Sequence, residues 1–226
     1  MMQIRYRWFR IRLPDQTFSL THAFLNSPFD SKSTQGFQRM SEDDISYRYL
    51  WRSRVVITKL DDEGTPTYEQ VDSVSFTDFS ILQLGGLLFL RIENAGRTIR
   101  DLLNAIEALT GMGFTAKPVT FDKGRPSSVF DSVDSSKLVG LKVAGAIVDD
   151  DLVARMEFVS KEGMIVENMK ILANLRYKVE HAVFEVVLSG LKGQISFSAN
   201  GTVKISGQIA PKLISLVEQD LPQFVV

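Results

Sequence analysis

QIRYRWFRIRL, residues 3–13, decides how the chain is read: Arg5, Arg7, Arg10 and Arg12 interleave with Ile4, Tyr6, Trp8, Phe9, Ile11 and Leu13. A period of two is the mark of a β-strand, whose successive side chains point to opposite faces. The alternation slips at Trp8-Phe9. In a regular strand Arg5 and Arg7 would then face one way, and Arg10 and Arg12 the other. A β-bulge at Trp8-Phe9 would reset the phase and bring all four arginines to one face, and the reading predicts one there. Residues 46–60, SYRYLWRSRVVITKL, repeat the character, with Arg48, Arg52 and Arg54 among Tyr47, Tyr49, Leu50 and Trp51. Both tryptophans of the chain lie in these two runs.

Working outward, the runs predict an α+β protein with antiparallel sheets built from β-hairpins and about three main helices packed on them. The turn signal Asp61-Asp62-Glu63-Gly64-Thr65-Pro66 separates the second run from a returning strand at 68–76, continued after a short break by strands at 79–84 and 87–93. Apolar residues at helical spacing predict helices over 97–110, 166–178 and 211–221, with a further short helix at 19–26. Strands are expected at 114–121, 138–148, 152–159, 182–188, 194–199 and 202–208. Asn200-Gly201 marks the last hairpin with a two-residue type I′ turn. Residues 27–44 and 122–136 read as polar loops. A weak hairpin–helix repeat links 88–109 with 202–221, with a third unit near 138–178. The chain divides into residues 1–121, a linker at 122–137, and residues 138–226, or forms one domain.

The net charge of −1 conceals a polarity: residues 1–60 hold ten Lys/Arg against five Asp/Glu, while the remainder is acidic. A basic beginning points to an anionic partner or to an acidic surface elsewhere in an assembly. There is no cysteine, so disulfides, thiol nucleophiles and thiolate metal sites are excluded. The most apolar stretch, 79–92, is too short to span a bilayer and carries Gly85-Gly86, so no membrane partner is expected and a cytoplasmic location is the default.

Arginine offers a planar donor fork matched to phosphate, and aromatic rings stack on bases. The leading functional reading is therefore a non-catalytic nucleic-acid-binding protein that uses Arg5, Arg7, Arg10, Arg12, Arg48, Arg52 and Arg54 with Trp8, Tyr49 and Trp51. The plainer account of the same pattern is a half-buried sheet with rings inward and arginines in solvent. The alternative function is a protein-interaction or assembly subunit, acting through a partner protein or by self-association. A second alternative is a metal-dependent nuclease built on Glu42-Asp43-Asp44, Asp61-Asp62-Glu63 or Asp149-Asp150-Asp151, but these clusters fall in expected turns, where Asp is favoured for local hydrogen bonding. The two histidines, His22 and His181, lack HxxxH or HExxH spacing, no nucleophile elbow or phosphate loop occurs, and no cofactor or metal is expected.

Overall fold

A computed structural model describes residues 3–15, 17–40, 45–96, 99–121, 126–149 and 152–225. Its strands are β1 (Gln3–Arg12), β2 (Gln35–Arg39), β3 (Ser46–Leu60), β4 (Pro66–Leu84), β5 (Leu87–Glu93), β6 (Thr115–Pro118), β7 (Ser135–Asp149), β8 (Leu152–Val159), β9 (Lys178–Leu188), β10 (Leu191–Ser198) and β11 (Thr202–Gly207). Its helices are α1 (Leu20–Leu25), α2 (Arg100–Thr110), α3 (Ser127–Ser132) and α4 (Ala210–Asp220). Antiparallel sheet dominates. No helix among the described residues is long and apolar enough to cross a membrane. The chain forms two compact units, one from residues 1–11, 82–93 and 116–226, the other from 12–81 and 94–115.

In the first unit the strands run β5-β1-β11-β10-β9-β7-β8, with β6 beside β1. One face of this sheet carries Tyr6, Trp8, Val203, Ile205, Ile195, Phe197, Phe184, Val186 and Leu141, all buried. The amphipathic stripe of α4, Leu213, Ile214 and Val217, closes the same core. β1 is a central strand, and its apparent phase slip follows from that position. Phe9 and Ile11 are buried on the face opposite Trp8, as are Leu90, the cross-strand partner of Phe9, and Ile92, the partner of Arg7, on β5. A strand buried on both faces needs apolar residues at consecutive positions. The expected bulge is absent: β1 keeps an unbroken register with β11 from Gln3↔Ser206 to Arg7↔Thr202, and with β5 from Tyr6↔Glu93 to Ile11↔Leu88.

Three further expectations need correction. Residues 166–178 hold only a short 3-10 turn at Val166–Asn168 and a run of turns, not a helix. Met169 and Leu172 reach the core, Ile165 and Ile171 stay exposed, and Asn174 takes a positive φ of 68°. So short a segment gains little from helix formation itself. The expected loop at 122–136 contains α3, whose Val129 is buried and whose Phe130 ring lies 4.7 Å from that of Phe184. Buried Asp220 holds the start of α3, accepting from Ser128 N at 2.8 Å and Ser128 Oγ at 2.6 Å. The expected loop at 27–44 contains β2, and Gly36 is required there because a Cβ would stand 2.6 Å from Phe29 N and Pro28 O.

The turns are exchanged as well. Asn200-Gly201 belongs to a three-residue loop, with Gly201 N donating to Ser198 O and Gly201 alone of the pair at positive φ. That is a type I turn followed by a left-handed residue, not type I′. Positive φ at both central residues occurs instead at Gly85-Gly86 and at Ser189-Gly190, between β9 and β10.

In the second unit β2, β3 and β4 pair in that order. Phe24 of α1, Phe37 of β2, Tyr47 of β3 and Phe79 of β4 form an aromatic core with ring centroids 4.6 to 6.1 Å apart. The expected break between 76 and 79 is absent, because β4 runs through it and keeps register with β3 from Ser46↔Ser80 to Leu60↔Pro66.

Candidate interaction surfaces

The seven arginines do not form one face. With no bulge in β1, Arg5 and Arg7 lie on one side of the strand and Arg10 and Arg12 on the other. Arg5 sits across from Lys204 and Arg7 across from Thr202, while Arg10 sits across from buried Phe89. On β3, Arg48 grips Asp78 through two bonds, Nε to Oδ1 at 2.6 Å and Nη2 to Oδ2 at 3.0 Å, with its guanidinium 4.0 Å above the Phe76 ring. This bond to Asp78 raises the Arg48 pKa further above its ordinary range. Arg52 donates to the carbonyl oxygens of Ser33 and Asp30 and lies over Phe29, so it ties the 28–34 segment to the strand. Arg54 faces Asp72 at 3.5 Å.

Two of the three rings of the expected stacking surface are also occupied. Trp8 is fully buried, and its Nε1 donates to Glu218 Oε1 at 3.1 Å. Arg91 joins the same carboxylate at 3.1 Å and reaches Glu93 at 3.1 Å, making a part-buried ionic network beside the indole. Tyr49 is 1 % exposed and donates to Gln35 Oε1 at 2.7 Å. Burial, with Asp101 nearby, raises the Tyr49 pKa. Trp51 keeps part of its surface, stacked 5.4 Å from Tyr49 at the margin of a cleft of about 370 Å³ also lined by Asp101 and Asn104.

The acidic clusters contribute a turn. Asp61 Oδ1 accepts from Glu63 N and Thr65 N, which closes the β3–β4 connection. Glu42, Asp43, Asp44, Asp150 and Asp151 lie outside the described residues, as do Lys123 and Arg125. Among the described residues no group of three or more His, Asp or Glu is placed to hold a metal ion.

What the arginine pattern concealed is the shape of the β3–β4 hairpin. Its base, 46–51 with 75–80, belongs to the aromatic core of the second unit. Beyond it, 53–60 and 66–73 continue as a two-stranded arm of about 25 Å at the usual rise per residue. β2 pairs with β3 only as far as Trp51, so the outer edge of β3 has no strand partner beyond Arg52 among the described residues.

Antiparallel pairing places opposite residues on one face, so Val55, Ile57 and Val71 share one side of the arm. Val56, Leu60 and Tyr68 share the other, which Val74 and Phe76 continue toward the base. Each of these eight is an exposed large hydrophobic residue, with Phe76 and Val56 at 55 %, Leu60 at 69 % and Tyr68 at 71 %. The sequence held a signal for this in Val55-Val56-Ile57, a consecutive apolar run in a strand, which puts apolar groups on both faces.

No protein-family model matches the chain, and no curated protein is similar to it in sequence.

Proposed function

We propose that the protein is a protein-interaction or assembly subunit whose β3–β4 arm docks on another subunit, either a second copy or a partner protein. One observation carries this reading: the arm displays six large apolar side chains on two faces, and among the described residues no element of its own unit lies over them. Two-stranded ribbons are marginal in water by themselves, and exposed apolar patches of this extent mark interaction sites. The unpaired edge of β3 offers backbone donors and acceptors for strand addition as well. Cross-arm ion pairs, Arg54 with Asp72 and Lys59 with Glu69, hold the arm's register in solvent.

The test is to cut the arm at its base. A variant in which residues 54–72 are replaced by Asn-Gly joins Ser53 to Ser73, which are already cross-strand partners, through a turn suited to a hairpin. Light scattering should find the unshortened chain in a species heavier than 25.4 kDa or bound to a stoichiometric partner, and the shortened chain as a monomer. An unshortened chain that stays monomeric and purifies without a partner rules this function out.

A further inference from the structure

Arg5 and Arg7, the arginines on the outer face of β1, join cations that only the tertiary structure brings to them. The first unit's sheet has one face closed by the core and α4. Side chains on the other face follow from the register. Arg5 pairs with Lys204, Lys204 with Ser196, and Ser196 with Val183. One row along, Gln3, Ser206, Gln194, Glu185 and Lys137 form a continuous polar line across five strands. A further row sets Ser198, His181, Lys142 and Glu157 side by side.

This face is concave. A groove of about 850 Å³ is lined by Gln3, Lys137, Glu185, Lys192 and Gln194, and an adjoining hollow of about 370 Å³ by Lys142, Glu157, Lys161 and His181. The cations are Arg5, Lys137, Lys142, Lys161, Lys192 and Lys204, with part-buried Arg7 at the margin. The acids are Glu157, Glu185 and Glu180, the last paired with Arg155 of β8. Glu157 lies 3.5 Å from Lys142, and among the described residues no carboxylate forms an ion pair with Lys137, Lys192 or Lys204.

We propose that this sheet face binds the phosphate backbone of nucleic acid. Its net positive charge, gathered on a chain of net charge −1, suits an anionic partner. Its composition selects among anionic partners. Protein interfaces are depleted of lysine and carry an apolar centre, whereas nucleic-acid interfaces are polar and strongly positive. Here the middle of the face holds serine, glutamine, lysine and His181. Val183 is only part-exposed, and the freely exposed Val159 lies at the β8 margin.

Among the described residues this face presents no exposed Phe, Tyr or Trp ring for base stacking, so recognition runs through phosphates and is indifferent to sequence. From Arg5 on β1 to Lys142 on β7 is four interstrand steps, about 19 Å, over which one strand of a duplex carries about five phosphates. The surface differs from the arm, and the arm-shortened chain retains it.

Fluorescence anisotropy tests it with labelled single- and double-stranded DNA and RNA of about 20 nucleotides, at about 50 and 200 mM salt, with polyglutamate as the competing anion. About four neutralised phosphates predict a slope of log K against log salt near −4 for duplex DNA, and so roughly a 100-fold loss of affinity between the two salts. The double variant K142Q/K204Q should reduce the slope by about 2. Lys137 and Lys192 are exposed, so K137Q/K192Q reads the same effect with little burden on the fold. The inference is overturned by absence of salt-sensitive binding to all four nucleic acids. It is equally overturned by an unchanged slope in folded K137Q/K192Q, or by polyglutamate displacing nucleic acid at equal charge concentration.

Discussion

Replacing Val56, Leu60 and Tyr68 together by threonine should dissolve the assembly while leaving the fold intact. The three side chains share one face of the arm and are 55, 69 and 71 % exposed in the isolated chain. Full burial of a side chain of this size is worth about 1.5–3 kcal/mol, so the roughly two-thirds still exposed represents about 1–2 kcal/mol each on docking. The three sum to about 3–6 kcal/mol, and ordering of the contacting side chains places the net loss near the lower end. At about 3 kcal/mol the dissociation constant rises roughly 100-fold.

Folding is nearly indifferent to the same change, since exposed substitutions away from special features usually stay within about 0.5 kcal/mol each, and threonine keeps the β-branched preference for strands. Sedimentation velocity across about 1–100 µM gives the association constant, and urea unfolding gives the stability. A triple variant that assembles as tightly as the parent shows that this arm face is not buried. If assembly is lost only together with the folded state, the selectivity argued from exposure is wrong.

Other residues carry expectations of a structural kind. Trp8→Phe removes the donor to Glu218 and leaves a gap in a fully buried site, so unfolding should cost about 1–3 kcal/mol less by urea titration, while nucleic-acid affinity stays unchanged. Asp220→Ala strands Ser128 N and Oγ at the start of α3 and should lower stability by about 2 kcal/mol, with proteolysis of residues 126–132 accelerated in the folded protein. His181 lies among Lys142, Lys204, Glu157 and Ser198. Burial first, then Lys204 and Lys142, hold its pKa below the ordinary 6.5, with Glu157 opposing. Its contribution to stability is therefore intact above about pH 6.5 and lost as pH falls through the folded-state pKa. Thermal melts between about pH 7 and 5 should show a decline that shrinks in His181→Gln, and an identical slope in the two proteins would refute it.

The strand character of residues 3–13 and 46–60, the α2 and α4 stripes, the short helix after Ser19, and most hairpins were legible in the linear sequence. Periodicity and turn residues report local geometry, and local geometry held there. What it misreported is instructive at Trp8-Phe9. Two adjacent buried residues look like a bulge in a one-sided strand and like ordinary alternation in a central one, and only the neighbours β5 and β11 distinguish the two. α3 and β2 escaped for a related reason. Asp220 is 92 residues from Ser128, and Phe37 and Gly36 are set by the backbone of 27–29, so neither element announces itself locally.

The arginines show the same division. Their number, charge and spacing belong to the sequence, which by itself determined that two basic, aromatic strands would exist. Which groups surround each arginine was decided by tertiary contacts. Asp78 and the carbonyls of Asp30 and Ser33 claim Arg48 and Arg52, and Glu218 takes the Trp8 indole. Sheet pairing across five strands delivers Lys204, Lys142 and Lys137 to the face of Arg5. Charge that acts at a surface depends on which groups share that surface, and residues 5, 137, 142 and 204 come to share one face only through strand order and register.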